Sequence, residues 1–161
     1  MEKKSKRGLS SQQSTEDYSG TESRFLTFFT DDQLYGVPIE DIVQIIGIQK
    51  ITKMPEYPHY VKGLISLREN IIPVIDMRLR LKKPVCEYDE RTCIIITFIK
   101  DLSIGFIVDV VDSVTTIAKK SISPPPISID DSSLYIDGIA IQEDKTILLM
   151  NTKKLSQLSI Y

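Results

Sequence analysis

Tryptophan is absent from this chain, and histidine occurs once, at His59. A Ser-His-Asp or Cys-His pair would have to draw on that residue. It sits in the loop-like stretch "YPHY", where a proline-flanked histidine is ordinarily a surface residue. Cysteine is scarce as well: Cys86 and Cys93 alone make neither a metal-ligand spacing nor a disulfide framework. Cys93, in "CIIITFI", reads as a small buried hydrophobe. Gly36, Gly47 and Gly63 stand singly, so no glycine-rich phosphate loop is present. No apolar run reaches the roughly 18 residues of a membrane span, which argues against direct membrane insertion. Nor is there an excess of one charge. A net charge of -2 and a pI near 5.5 exclude the strongly basic face of a dedicated nucleic-acid binder. These absences leave an expectation of no catalytic residue, no metal and no cofactor.

The first residues lack the apolar core of a secretory signal, so a cytoplasmic protein is expected. Residues 1–23 are polar, rich in Ser, Gln and Glu, and read as a disordered tail before a domain over 24–161.

What the chain does contain is an internal repeat. "FLTFFTDDQLYGVPIEDIVQII" aligns with "CIIITFIKDLSIGFIVDVVDSV", placing Gly36 on Gly105, Glu40 on Asp109 and Ile42 on Val111, a shift of 69. "YVKGLISLRENIIPVIDMRLRL" aligns with "YIDGIAIQEDKTILLMNTKKL", placing Gly63 on Gly138, Val74 on Leu149 and Asp76 on Asn151, a shift of 75. The extra residues fall in the Pro-rich "SISPPPISIDDSS", which cannot pair as a central strand.

Each block reads as strand, turn, strand. The strands are β-branched and aromatic, the turns "TDDQ" and "IKDLS" carry Asp, and glycines within strands mark bends or close backbone approach. Asp76 and Asn151 precede short helix-like runs as N-caps. In "MRLRLKK", Lys82 and Lys83 then fall at the negative end of a helix dipole. Two small, related, mostly antiparallel β-barrels in one body is the expected fold. Asp109 and Asp112 point to opposite strand faces at their spacing and read as locally hydrogen-bonded carboxylates. Ile42, Ile46 and Ile48 alternate along one strand, and whether they are core or partner surface stays open. With chemistry unhoused, exposed strand edges and hairpin tips remain as binding surfaces for other proteins.

Together "YGVPIEDIVQIIG", "ITKMPEYPHYVKGLISLR", "IIPVIDMRLRL", "IVDVVDSV" and the late "YIDGIA" resemble the CheW family of chemotaxis coupling proteins, from about Phe25 to Leu158. The resemblance implies two SH3-like five-stranded β-barrels and no enzymatic activity. It implies two partners: the cytoplasmic helical tip of transmembrane chemoreceptors, and the regulatory domain of the histidine kinase CheA. Further CheW copies are implied in rings, at the inner face of the membrane through receptor arrays. Carried over by position, it puts receptor binding at Arg68, Gly63 and Val108, with the "VDVVDSV" strand on the second barrel beside that groove. It puts kinase binding at Ile42 and Gln44.

The family's N-L-R-G turn reads Ser66-Leu67-Arg68-Glu69 here, and Gln44 replaces an acidic residue. With glycine gone, Asn70 rather than Glu69 is expected to take the left-handed conformation. The departures leave room for a specialised or decoy adaptor that binds one partner only. A small enzyme using His59 is the remaining alternative.

Overall fold

The two aligned blocks fold as two copies of one unit. A computed structural model describes residues 21–125 and 134–158. The first copy comprises β1 (Glu22–Thr30), β2 (Gln33–Pro38), a 3-10 turn (Ile39–Asp41), β3 (Ile42–Gly47), β4 (Val61–Leu67), β5 (Asn70–Asp76) and helix α1 (Met77–Arg80). The second comprises β6 (Cys93–Ile99), β7 (Leu102–Val108), β8 (Val110–Ala118), a 3-10 turn (Lys119–Ser121), β9 (Ile136–Gln142), β10 (Lys145–Met150) and helix α2 (Thr152–Leu155). The predicted caps form. Asp76 accepts hydrogen bonds from the amides of Arg78 and Leu79, and Asn151 accepts one from Lys154. At the end of α1, the Lys83 amide reaches the Arg78 carbonyl and the Lys82 amide that of Leu79, with Lys82 at φ 57. The tail expected over 1–23 lies mostly outside the described residues, although β1 already begins at Glu22.

The copies do not each close a barrel. One five-stranded sheet runs β8-β1-β2-β10-β9 and the other β3-β6-β7-β5-β4. Each barrel therefore takes its first hairpin from one copy and its other three strands from the opposite copy. This corrects the expectation that Val108 and the strand after it share a barrel. Val108 ends β7 beside β5, and the chain crosses at Asp109 so that β8 pairs with β1.

Closure of each sheet uses an isolated bridge. Thr52 and Leu64 exchange backbone hydrogen bonds of 2.9 and 2.8 Å, and Ser123 and Ile139 do the same at 2.8 and 2.9 Å. Gly63 makes the first closure geometrically possible: its φ is +151, and a Cβ there would stand 2.1 Å from the Thr52 carbonyl oxygen. Gly105 serves a different approach. Its β7 lies parallel to β5, and a Cβ would stand 2.9 Å from Val74 and 2.8 Å from Ile94.

Three apolar clusters hold the molecule. Phe25, Leu34, Ile117, Ala140, Ile147 and Leu149 fill the barrel of β1, and Ile65, Ile72, Val74, Ile94, Ile96 and Ile107 fill that of β3. A larger cluster, including Phe28, Tyr35, Ile75, Met77, Phe106 and Met150, lies between them. Among the described residues all four hairpins turn on two residues of positive φ: Asp31-Asp32, Arg68-Glu69, Lys100-Asp101 and Glu143-Asp144.

Asn70 does not take the left-handed conformation. Leu67 pairs with Asn70, so the loop is Arg68 (φ 48) and Glu69 (φ 70), and a two-residue loop of this kind needs both positive. Glu69 thus carries backbone strain. Glu69→Gly should stabilise the fold by about 0.5–1 kcal/mol, as read from urea unfolding midpoints.

Candidate functional site

Arg68 stands exposed at the tip of the β4–β5 hairpin, as the sequence predicts. Beside it are exposed Ser66 and Glu69, and Ile71 at 69% exposure. Gln49 Nε2 donates to the Ser66 carbonyl at 3.0 Å, tying the chain after β3 to this tip. The other two predicted receptor residues are not surface residues. Val108 is 1% exposed and Gly63 is buried, so neither presents a contact. They also lie away from Arg68. Gly63 pairs with Val74, and Val108 lies one position past the Asp76–Ile107 pair, so it stands roughly 20 Å or more along the strands from the tip. Their role is architectural.

The predicted kinase strand, β3, pairs within its sheet only with β6. A bulge at Val43 resets its alternation: Ile42 faces Thr97, while Gln44, Ile45 and Ile46 face Ile96, Ile95 and Ile94. Ile42 consequently packs on the cluster between the barrels, and Ile46 on the interior of the β3 barrel. Gln44, half-buried opposite the buried Ile96, shares that interior face. The outward residues are Val43 (65% exposed) and Ile45 (41%), at the odd positions, whereas the alternation expected from the sequence falls on the even ones. The Gln49–Ser66 bond links the chain that follows this apolar strip to the hairpin that carries Arg68.

An ionic knot lies at the opposite end of β5 and β7 from the Arg68 tip. Arg78 Nη2 approaches Asp109 Oδ2 at 2.7 Å and its Nε donates to Asp109 Oδ1 at 3.1 Å. Arg78 Nη1 lies 3.5 Å from Asp31 and donates to the Pro84 carbonyl at 2.7 Å. Burial opposes ionisation of Asp109. The hydrogen bonds from Arg78 and the Asp31 amide outweigh it, and the pKa lies below the ordinary 3.8. Asp112 accepts from Thr27 Oγ1 at 3.0 Å, so both aspartates are locally bonded as expected. Tyr88 donates to the buried Asp76; burial, then Asp76, push the phenol's pKa up. Arg80 lies between two repeat-related rings, 4.0 Å from the centroid of Tyr60 and 4.8 Å from that of Tyr135. His59 is exposed and stacks edge-on with Tyr60. Among the described residues no three His, Cys, Asp or Glu side chains form a metal-holding group, and no helix is long and apolar enough to cross a membrane.

A family model described as the CheW-like domain matches residues 24–159. The chemotaxis protein CheW of Bacillus subtilis is 30% identical over 132 residues, covering 81% of this chain and 85% of that protein. Protein FrzA of Myxococcus xanthus is 27% identical over 138 residues, covering 84% and 86%. In fold, the scaffolding protein TtCheW of Thermoanaerobacter tengcongensis superposes with a TM-score of 0.75 at 35% identity, covering 80% of this chain and 88% of that one.

Proposed function

From a chain that belongs to the CheW-like domain family, we infer a non-enzymatic chemotaxis adaptor that couples the helical tips of transmembrane chemoreceptors to the regulatory domain of the histidine kinase CheA. The observation that carries this reading is an outward apolar pair, Val43 and Ile45, on a strand with one sheet neighbour, together with an exposed cation at a strained hairpin tip. The apolar strip suits burial against a second β-barrel, whether of the kinase or of another copy in a ring. Arg68 suits a charged helical surface, with Glu69 beside it moderating the attraction.

Titration against each purified partner tests the assignment. Arg68→Glu should weaken binding of a receptor cytoplasmic fragment about ten-fold at low salt, with a smaller loss at high salt. Ile45→Asp should weaken binding of the kinase regulatory domain by at least about thirty-fold, because it places a charge in an apolar contact. Ile45 is the informative position, since Ile42 packs on the core and its replacement would disturb folding. If neither variant changes either affinity, the coupling role fails. Binding of only one partner by the unaltered protein would instead establish a specialised or decoy adaptor, which the Ser66 and Glu69 departures would then explain.

A further inference from the structure

The repeat exposes a site in its second copy that its first copy has neutralised. Arg78 and Asp31, which lie 3.5 Å apart, correspond by the shifts of 75 and 69 to Lys153 and Lys100. The anion of the first copy is therefore a cation in the second. Lys100 and Lys153 line the same groove, and the nearness of Lys100 lowers the pKa of Lys153. Glu40 stands where Asp109 would by the repeat, yet among the described residues neither lysine has an ion-pair partner.

The lysines border a groove of about 440 Å³ between the β6–β7 tip and α2, with Ile99, Leu102 and Leu158 as its apolar wall. Leu102 is 47% exposed. The parallel register of Val74 with Gly105, carried back three residues, sets exposed Ile71 alongside Leu102 and lengthens the wall. In the first copy the places of Ile99 and Leu102 are taken by Thr30 and Gln33, and that of Ile71 by Thr146 in the second. There Gln33 Nε2 donates to the Thr146 carbonyl, and the corresponding surface is polar where that of the second copy is apolar. The cation pair and the apolar wall thus occur together at one end of the molecule.

The geometry points to a docking groove at Lys100 and Lys153 for a protein segment that presents an Asp or Glu carboxylate flanked by aliphatic side chains. The carboxylate settles between the ammonium groups and relieves their repulsion, while the aliphatic neighbours cover Ile99, Leu102 and Leu158. A free anion would use the lysines and leave that wall bare. Charge complementarity and wall length together select a peptide. The wall reaches Ile71 beside the Arg68 tip, while Lys100 and Lys153 themselves lie outside the receptor and kinase surfaces proposed above.

Backbone amide chemical shifts of the full chain, titrated with the peptide acetyl-Leu-Glu-Leu-amide, test it without either signalling partner. Saturable shifts are expected across residues 99–102 and 153–158. The peptide with Gln for Glu should bind at least about five-fold more weakly, the difference shrinking with salt. The double variant Lys100→Glu, Lys153→Glu changes two exposed side chains, so it should keep its native spectrum and lose the response. No saturable shift overturns the proposal, as does an equal response to the Gln peptide. Equal shifts from acetate alone would also overturn it, because the site would then take free anions rather than a protein segment.

Discussion

Gly63→Ala should lose about 3–5 kcal/mol of stability, enough to leave much of the chain unfolded at ambient temperature. The new Cβ would lie 2.1 Å from the Thr52 carbonyl oxygen and 2.7 Å from its carbon, both backbone atoms that no rotamer change can withdraw. The φ of +151 is also one that alanine adopts only with strain. Relief would require separating Thr52 from Leu64, which loses the two hydrogen bonds that close the β3 barrel. Urea unfolding supplies the measurement, with Gly47→Ala as the control. Nothing lies within 4 Å of a Cβ at Gly47, so that variant should stay within about 0.5 kcal/mol of the parent. A Gly63→Ala protein as stable as the Gly47→Ala control would mean that the closure is not a structural constraint.

Asp109→Asn should cost about 2–3 kcal/mol at neutral pH. The substitution keeps the volume but leaves Arg78, itself only 16% exposed, with Asp31 at 3.5 Å and the Pro84 carbonyl as remaining partners. The cost sits below that of a fully buried pair because Asp109 retains 26% side-chain exposure.

The pH dependence has a defined sign. The folded-state pKa of Asp109 is lowered from 3.8, so the unfolded chain takes up its proton first. The contribution is complete above pH 3.8 and declines as pH falls through the lower folded-state value. The melting-temperature difference between parent and variant should therefore be constant from pH 7 to 5 and narrow in more acidic solution. A difference that widens on acidification would remove Asp109 from the role given to it.

Much of this molecule was legible as pattern. The repeat shifts aligned all four two-residue hairpins, because strand-turn-strand units with matched glycines have one natural register. Asp76 and Asn151 were readable as caps, since N-capping is a local interaction between a side chain and the next few amides. What was not legible is partner choice. Internal similarity says that β2 resembles β7, but it cannot say that β2 lies beside β10 and β7 beside β5, because both copies offer equally apolar edges. That ambiguity misplaced Val108 relative to β8. The site suffered from single-residue irregularities in the same way. The bulge at Val43 reverses the face of everything before it, and no composition marks it. At the hairpin tip, residue preference favoured Asn70, but the Leu67–Asn70 pairing settled the matter for Arg68 and Glu69. The exposure of Arg68 was legible because a turn residue must be exposed whichever sheet carries it.

Because each barrel draws strands from both copies, neither copy can complete its own. A half-length chain ending in the 84–92 connection would own a two-stranded ribbon of one barrel and three strands of the other, with no closed interior in either. It could bury those faces only against a second half-chain, each lending its hairpin to the other. The single-chain form is that reciprocal pair with its ends joined. The exchange does not require the copies to match in charge, as Asp31 and Lys100 show.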